Sequence, residues 1–385
     1  MILDYYWQIF PHTIVGFLAV SLAIAILNYF SIRGFDAFPS AQNFPRVSIL
    51  LPARNEDGNI KDCVESLLAQ NYPDFEVLVL NDHSTDQTRA ILEQISQHDP
   101  RLKFYDGETL PSGWLGKHWA CHQLSQRASG ELILFTDADT RHETNALRDS
   151  VSALIAQNAD LVTAFPYQEM LTWGEKLTVP ILGFGILCFF PILLTEKLRL
   201  PALSVTIGQF MLFRRSAFDA IGGYEAIRNY SVDDIRLGHN IIAHGFRWKL
   251  MNGTHHIACR MYHNFSEALD GFTKNLFAVF NHHILLYCIG WFWIAFSFLV
   301  PILVLFKSFF VSTWFPVSIA LVAVIEAVIM IGIAYHRFRT PAYLVLIYPL
   351  SVFIFAWIAF RSLIHSLTGY RTWKGRDIAP TMFKW

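Results

Sequence analysis

Apolar residues in this chain follow two patterns: long unbroken runs towards the ends and short, regularly spaced runs between them. The first long run spans 13–30, and three more cover 284–306, 309–335 and 342–363. A helix needs about 20 predominantly apolar residues to cross a bilayer, and each run is close to that length. The pattern therefore predicts an amino-terminal anchor and carboxyl-terminal membrane helices on either side of a water-exposed middle part.

The middle part alternates apolar runs with helical stretches. Between residue 46 and about residue 164, the runs VSILL, FEVLVL, ELILFT and DLVTAF alternate with helical stretches at 61–70, 88–97, 117–127 and 145–158. This alternation is typical of βαβ units. It predicts a largely parallel, doubly wound sheet, in which ligands bind beyond the carboxyl ends of the strands.

One apolar stretch of the middle part, 178–194, fits neither pattern because Pro180, Pro191 and two glycines interrupt it. A crossing here would put the segments before and after it on opposite sides of the bilayer, although both are expected to contribute to one site. We therefore interpret the stretch as an interfacial or re-entrant helix pair. A buried core helix is the alternative.

The composition supports membrane helices and narrows the possible partners. Of 385 residues, 53% are hydrophobic and 16% are charged, whereas soluble domains carry about 25% charged residues. The net charge of -1 gives no sign of the strongly basic surface that nucleic-acid binding would need, so no nucleic-acid partner is expected. No obligate protein partner is evident either. The five cysteines lack metal-ligand spacing and are predicted to be reduced thiols.

Basic residues predict the orientation. Arg33 and Arg46 follow the first apolar run and no Lys or Arg precedes it, so the positive-inside rule places the following part in the cytosol. The expected parts are an anchor at 1–34, a cytosolic domain at 35–282 with interfacial helices near 175–200, membrane helices at 283–366 and a basic tail at 367–385. Three simple crossings would put that tail outside, against the same rule, so the number of true crossings stays open.

Three loops expected at strand ends carry the polar residues best suited to chemistry: PARNE (52–56), NDHSTD (81–86) and TDADT (136–140). Side chains of the first two can bind a base and a ribose, and helix capping is the alternative for both loops. In the third loop, Asp137 and Asp139 share one face of the extended chain. Two such carboxylates repel each other unless a cation lies between them, and Mg or Mn suits oxygen ligands.

The order of these loops resembles the family 2 glycosyltransferases with a GT-A fold, over residues 46 to about 280. The resemblance implies an α/β, Rossmann-like nucleotide-diphospho-sugar transferase domain with a mostly parallel sheet, flanked by transmembrane helices. It implies that Arg54, Glu56 and Asp82 hold the nucleotide of a UDP-sugar. It also implies that Asp137 contacts the nucleotide sugar and that Asp139 binds the divalent metal, Mg or Mn, on the diphosphate.

Later motifs are similar to those of membrane glycosyltransferases that modify carotenoids, hopanoids and other lipids. GWLGKHWA (113–120) resembles their GWxGKxxA segment, which implies that Lys117 lies near the diphosphate; a loop whose tryptophan only packs is the alternative. The segment formed by Gly208, Gln209 and Phe210 resembles one that lines the acceptor side.

Asp233 and Asp234, followed by Leu237, resemble the family motif (E/D)Dxx(L). The resemblance implies that Asp234 is the catalytic base, which takes the proton of an acceptor hydroxyl as its oxygen attacks the sugar. A single displacement then inverts the anomeric configuration. The alternative is that both carboxylates only stabilise the amino terminus of a helix.

Three further segments, RMY (260–262), GFTKN (271–275) and WKGR (373–376), also resemble the carotenoid and hopanoid relatives. Arg260 or Lys274 could then screen the leaving phosphate. The sequence thus predicts an inverting hexosyltransferase of the cell (inner) membrane that moves one sugar, with glucose as first choice, to a hydroxylated membrane lipid. The alternatives are a processive polysaccharide synthase, against which the missing (Q/R)xxRW motif argues, and an inactive nucleotide-binding scaffold.

Overall fold

The computed structural model describes residues 2–313, 315–368, 372–373 and 376–377, with side chains for 9–313 and 315–368. The helices are α1 (Ile2–Ser31), α2 (Ile60–Leu68), α3 (Thr88–Ser96), α4 (Gly116–Arg127), α5 (Ala146–Ala156), α6 (Trp173–Thr178), α7 (Pro180–Phe189), α8 (Ile192–Leu198), α9 (Arg215–Ala220), α10 (Asp233–Ala243), α11 (Phe265–Val279), α12 (Ile284–Ser308), α13 (Val317–Arg337) and α14 (Tyr348–Leu367). The strands are β1 (Val47–Ala53), β2 (Phe75–Asn81), β3 (Leu102–Asp106), β4 (Leu132–Thr136), β5 (Thr140–His142), β6 (Leu161–Phe165), β7 (Tyr167–Gln168), β8 (Phe210–Arg214), β9 (Trp248–Asn252), β10 (Ile257–Cys259), β11 (Thr372–Trp373) and β12 (Arg376–Asp377). Short 3-10 turns lie at Phe35–Ala37, Pro201–Leu203, Glu225–Ile227 and Ala342–Ile347.

The chain forms two compact units. The sheet unit comprises residues 32–169 and 192–261, and the helical unit comprises the described residues of 1–31, 170–191 and 262–385.

The sheet unit is built on a seven-stranded sheet with the order β3-β2-β1-β4-β8-β6-β9. All neighbouring strands are parallel except β8, which is antiparallel to both β4 and β6. Every residue of β2, β4 and β6 is buried, as expected for parallel strands that are covered on both faces. The predicted mostly parallel α/β sheet is therefore confirmed.

A second, three-stranded sheet has the order β5-β10-β7. Its strand β5 begins at Thr140, four residues after the end of β4, and pairs with β10 in antiparallel register. The small sheet thereby brings the end of β10, with Cys259, to the loop that follows β4.

The helical unit contains the predicted long apolar helices. Among the described residues, four segments (9–31, 284–308, 317–337 and 342–367) are long and apolar enough to cross a membrane, and a broken pair spanning 173–198 raises the number to five if it counts as one span. Within the unit, α1 packs against α7 and α13, and α12 packs against α13 and α14. These helices support membrane association of the chain.

The apolar stretch at 178–194 folds as two helices, α7 and the start of α8, with a break at residues 190–191. Asn28 of α1 donates hydrogen bonds from Nδ2 to the carbonyl oxygens of Leu187 (2.8 Å) and Phe190 (2.6 Å). These bonds satisfy carbonyl groups that the end of a helix leaves unpaired. The helix pair was predicted, and its interfacial position stays a prediction.

Of the WKGR segment, Lys374 and Gly375 lie outside the described residues. The flanking residues 372–373 and 376–377 pair as the antiparallel strands β11 and β12.

Candidate active site

The loops after β1 and β2 interlock at the carboxyl edge of the large sheet. The Asn55 backbone N–H donates to Ser84 Oγ at 3.0 Å, and Asn55 Oδ1 accepts from the Thr85 N–H at 2.8 Å. Asn55 and His83 have positive φ angles of 52° and 53°, a conformation that asparagine and histidine tolerate better than most residues. Backbone strain of this kind clusters at functional sites, and here it turns both loops towards each other.

The three residues expected to hold the nucleotide lie in these loops. Arg54 donates from Nη1 to the Asp82 carbonyl oxygen at 2.8 Å and lies 3.9 Å from the Asp82 carboxylate. The Glu56 N–H donates to Thr88 Oγ1 at 2.8 Å, and a Glu56 carboxylate oxygen accepts from Asn59 at 3.2 Å. The structure therefore brings Arg54 and Asp82 together. Glu56 lies two residues after Arg54 on the first of the two loops.

Asp137 and Asp139 occupy a tight turn after β4. The Thr140 N–H and hydroxyl both donate to the Asp137 carbonyl oxygen, at 3.2 and 2.8 Å. The Arg260 N–H donates to the Asp139 carbonyl oxygen at 3.2 Å. The turn is thus held by backbone atoms, and both carboxylates are left for other partners.

The Asp139 carboxylate is poorly satisfied for a buried group. Its Oδ1 atom has no hydrogen-bond partner among the described residues. Burial, with the charges of Asp137 and Glu56, raises the pKa of Asp139 to about 7. A buried carboxylate with a free oxygen is the arrangement expected where a cation binds.

Two buried thiols lie against this turn. Cys259 shares a hydrogen bond with the Asp139 side chain, and Cys63 Sγ lies 3.7 Å from the Asp137 carbonyl oxygen. Burial raises the pKa of Cys63 to about 12 and that of Cys259 above its usual range. Both thiols therefore stay protonated and act as weak donors. All five cysteines are free.

Lys117 links the two acidic parts of the site. Its Nζ lies 2.7 Å from Asp137 Oδ1 and 3.9 Å from Asp233 Oδ2. The Lys117 side chain is 42% exposed. Desolvation would lower the pKa of Lys117, but the charges of Asp137 and Asp233 raise it well above its ordinary value. Lys117 is consequently a fixed positive charge between the DAD turn and the start of α10.

The loop before Lys117 depends on glycine. Gly113 has a φ angle of 81°, which side chains rarely adopt. The Leu115 N–H donates to the Arg228 carbonyl oxygen at 3.1 Å, and α4 begins at the next residue. Trp114 also packs here, with its ring 5.1 Å from that of Trp119. In the GWxGK segment, Trp114 packs and Lys117 contacts Asp137, and the position of Lys117 near a diphosphate stays a prediction.

Asp233 and Asp234, in the first turn of α10, have different surroundings. Asp233 accepts from the Tyr224 hydroxyl at 3.2 Å; although burial opposes it, the charges of Lys117 and His118 lower the pKa of Asp233. Burial and the adjacent Asp233 raise the pKa of Asp234 to about 7. Neighbouring carboxyl groups with separated pKa values are typical of acid–base sites.

Asp234 is held by backbone donors. Its Oδ2 accepts from the Gly208 N–H at 3.0 Å and its Oδ1 accepts from the Ile235 N–H at 2.7 Å. A Cβ atom on residue 208 would lie 3.2 Å from Asp234 Oδ2, so glycine permits this close approach. Gly208 therefore contacts the predicted base, and its role on the acceptor side stays a prediction.

Phe210 differs from the expectation that it lines the acceptor side, and Gln209 is tied to the large sheet by its backbone. The Gln209 carbonyl oxygen accepts from Thr136 Oγ1 at 2.8 Å, which ties it to the end of β4. Phe210 is fully buried as the first residue of β8, with its ring 5.4 Å from that of Phe35. The Phe210 side chain is a core residue, because β8 enters the large sheet at that position.

The remaining predicted residues divide between the units. Arg260 follows β10 and its N–H contacts the Asp139 backbone, whereas Lys274 lies on α11 of the helical unit. Tyr224 and Cys259 were not predicted. Neither belongs to a motif, and only the folded backbone shows that their side chains reach Asp233 and Asp139.

Two carboxylates fit a divalent metal that takes its other ligands from water and substrate. In the part of the chain that the structure describes, no three His, Cys, Asp or Glu side chains form a group that could hold a metal. Mg²⁺ is usually bound by one or two carboxylates together with substrate phosphates. The free oxygen of Asp139 beside Asp137 meets that requirement.

Comparisons with known proteins relate the chain to glycosyltransferases. Residues 48–222 match the model of the family "Glycosyl transferase family 2". Two 4,4'-diaponeurosporenoate glycosyltransferases, from Staphylococcus aureus strains MRSA252 and USA300, are 26% and 25% identical to the chain over 245 residues. The aligned region is 61% of this chain and 61% of each relative, so the match spans about three fifths of the relatives' length.

Among solved structures, the mannosyltransferase PcManGT of Pyrobaculum calidifontis, in complex with GDP-Man and Mn2+, superposes with a TM-score of 0.54. It covers 90% of this chain and 98% of its own, at 16% sequence identity. A likeness at this identity concerns the fold. With the matched family domain at 48–222 and the interlocked acidic loops at the sheet edge, the chain has a GT-A fold and contains a domain that matches glycosyltransferase family 2.

Proposed function

We propose that this protein is a membrane-bound inverting glycosyltransferase that moves one sugar from a UDP-sugar to a hydroxyl group of a carotenoid-like lipid. The observation that carries the proposal is the position of Lys117, whose Nζ contacts both Asp137 and Asp233. Through Lys117, the pair suited to a donor diphosphate, Asp137 and Asp139, and the pair suited to an acceptor, Asp233 and Asp234, belong to one cluster.

The donor half of the site is assigned to the first three loops. Arg54, Glu56 and Asp82 would bind the base and ribose, and Asp137 the sugar-nucleotide. Asp139 would hold a divalent metal, Mg or Mn, with its free Oδ1 atom. When bound, that metal neutralises charge on the diphosphate leaving group.

The acceptor half is assigned to Asp234. Its carboxylate takes the proton of the acceptor hydroxyl while the oxygen forms a bond to the anomeric carbon and the bond from that carbon to the diphosphate breaks. One displacement inverts the configuration, and the nucleoside diphosphate leaves with the electron pair. Lys117 and Arg260 would offset the negative charge that develops on the leaving group.

The acceptor class follows from two observations. The staphylococcal relatives carry the name of a carotenoid carboxylate, which directs attention to long apolar acceptors, and the four long apolar helices suit such a substrate. A carboxylate acceptor has no proton to lose, whereas a hydroxyl does. The pKa of Asp234, near 7, supports a hydroxyl acceptor, since a base works best close to the operating pH.

The location is proposed from the sequence. Arg33 and Arg46 after the first apolar run place the sheet unit in the cytosol, at the inner face of the cell membrane. UDP-glucose is the first donor to test. GDP-mannose is the second, because the structurally similar mannosyltransferase was solved with GDP-Man.

The test is transfer of labelled sugar to lipid. Membranes with wild-type protein are incubated with labelled UDP-glucose or GDP-mannose and Mn or Mg, with hydroxylated and carboxylated carotenoids as added acceptors. Label in the organic extract should appear with wild-type protein and with the exposed-carboxylate control Asp219→Asn, and should be lost with Asp139→Asn. Equal label with Asp139→Asn, or none with any donor and acceptor from folded wild-type protein, would overturn the proposal.

A further inference from the structure

The sheet unit has a polar cavity of about 310 Å³ away from the carboxyl edge of the sheet. Trp248, which lines it, is the first residue of β9 and pairs with Leu161, the first residue of β6. Both strands run parallel from this point towards the opposite edge. The cavity therefore lies at the strand-start edge, and the acidic cluster of the proposed active site lies where parallel strands end.

Helix α10 separates the two sites. It begins with Asp233 and Asp234, and its residue Ile242 lines the cavity. Asp234 and Ile242 are eight residues apart, which is about 12 Å along a helix axis. The cavity is thus a distinct site of the same unit.

The charges of the cavity lining are mostly positive. It contains one acidic side chain, Glu196, which forms a 2.6 Å ion pair with Lys249. Three more basic side chains, Lys197, Arg199 and Arg247, belong to the same lining. Basic residues also stabilise the carboxyl ends of α8 and α10, which meet here, but that role requires no cavity between them. Three cations around one cavity are the arrangement expected for an anion with several oxygens, such as a phosphate.

Arg199 is held in position by its backbone and its side chain. Its φ angle is 52°, an unusual value for a residue other than glycine. Its Nη1 atom donates to the Gly245 carbonyl oxygen at 3.1 Å, and Gly245 itself has a φ angle of 82°. The strained, fixed conformation of Arg199 also supports ligand binding in the cavity, because such conformations concentrate at ligand sites.

Exposed leucines beside the cavity indicate that the bound phosphate belongs to a lipid. Helix α8 contributes Lys197 to the cavity, and it also carries Leu194 and Leu198, which are 46% and 60% exposed. Residues four apart lie on the same face of a helix, so these leucines form one apolar face beside the basic cavity. Leucines next to basic side chains are typical of a segment that lies on an anionic membrane surface.

We propose that this cavity binds the phosphate group of an anionic phospholipid, while Leu194 and Leu198 contact its acyl region. The site is independent of the proposed sugar transfer. It would hold the sheet unit against anionic lipid through Lys197, Arg199 and Arg247. A soluble phosphate compound shares the same headgroup chemistry but would leave the leucine face unused.

The test uses the full chain, purified in detergent and analysed by native mass spectrometry. The protein is offered phosphatidylglycerol, phosphatidylcholine or inorganic phosphate. The cavity variant is Lys197→Gln/Arg247→Gln, since both side chains are exposed. The matched control is Lys61→Gln/Arg101→Gln, which removes the same charge from two exposed residues elsewhere in the sheet unit.

Wild-type protein and the control should retain phosphatidylglycerol in preference to phosphatidylcholine, and the cavity variant should retain at least five-fold less. The melting temperatures of both variants show that the comparison concerns folded protein. Equal retention of phosphatidylglycerol by the cavity variant and the control would overturn the site. Binding of inorganic phosphate without any preference for phosphatidylglycerol would overturn the lipid assignment.

Discussion

Carboxylates with buried oxygen atoms lie at both ends of the large sheet, but their surroundings are opposite. At the strand-start end, Glu76 is 4% exposed and its oxygens accept from Ser48 Oγ, from the Ser129 N–H and hydroxyl, and from Lys103 Nζ. Burial would raise the pKa of Glu76, but these donors lower it to about 2. At the other end, Asp139 has an oxygen without a partner among the described residues and a pKa raised to about 7.

The difference separates a structural carboxylate from one available for chemistry. Glu76 is ionised at neutral pH, and both of its carboxylate oxygens accept hydrogen bonds from protein donors, so neither is left to bind a ligand. For Asp139 and Asp234, the protein's own donors do not fully offset the desolvation of the charged carboxylate, and the pKa values stay raised. Folding alone does not favour such groups. Such groups are expected to find their missing partner in a metal or a substrate.

The strongest test of this contrast is the substitution Asp234→Asn. It removes the proposed base but keeps the shape of the side chain, so we expect kcat for a hydroxyl acceptor to fall by about 10²–10⁴-fold. The KM for the donor and the melting temperature should change little. Steady-state kinetics beside the exposed-carboxylate control Asp219→Asn measure the effect, and a loss of less than ten-fold would contradict the assigned role.

At the other end of the sheet, Glu76→Gln should reduce stability without reducing function. The amide cannot accept from all the donors around Glu76, and the expected cost is about 2–4 kcal/mol, or a melting temperature lower by about 5–10 °C. Because the folded-state pKa lies near 2 and the unfolded value near 4.5, this contribution is present above pH 4.5 and is lost as the pH falls towards 2. The difference between variant and wild type should therefore shrink in acid.

The control for Glu76→Gln is Glu65→Gln, an exposed carboxylate on α2. Thermal unfolding in detergent compares the two variants, and donor KM below the melting temperature shows whether the site is intact. A large increase in donor KM for folded Glu76→Gln would contradict the claim that the carboxylate at the strand-start end has only a structural role.

A third prediction concerns pH. At saturating metal, kcat/KM should rise with pH around a midpoint near 7, because Asp234 must be deprotonated to act as a base. Asp233 is the main charge that raises this pKa after burial, so Asp233→Asn should move the midpoint to lower pH. A pH profile of each protein gives the result, and an unchanged or higher midpoint would show that another group controls the rate.

The smallest effect is expected from Gly208→Ala. The added methyl would lie 3.2 Å from Asp234 Oδ2 and shift the carboxylate by a few tenths of an ångström, which should lower kcat by about 3–10-fold. Gly58→Ala is the matched control, since nothing lies within 4 Å of a Cβ atom there. Equal kcat values for the two variants would mean that the contact with Gly208 does not position the base.

Much of the fold could be predicted because the core strands are continuous apolar runs with helices between them. The runs in 46–164 became β1, β2, β4 and β6, and the long apolar segments became helices. Strand β8 was not predicted. Its sequence, FMLFR, has no period that distinguishes an antiparallel strand from other buried segments, and its insertion between β4 and β6 depends on contacts distant in sequence.

The site was predictable where motifs carry it and not where packing decides. The loops with Arg54, Asp137 and Asp234 were found from residue type and order. The burial of Phe210, the Tyr224 hydrogen bond to Asp233 and the thiol of Cys259 beside Asp139 depend on tertiary contacts. Sequence order alone gives no signal for contacts of that kind.

The most direct test of the central claim is Mn²⁺ binding in the presence of UDP, and then of GDP, measured by the loss of the free-ion signal in electron paramagnetic resonance. Wild-type protein and folded Glu76→Gln should bind Mn²⁺ alike, and Asp139→Asn should bind at least ten-fold more weakly. Wild-type affinity in Asp139→Asn, or no binding by wild-type protein with either nucleotide, would contradict the claim that the unsatisfied carboxylate marks the site.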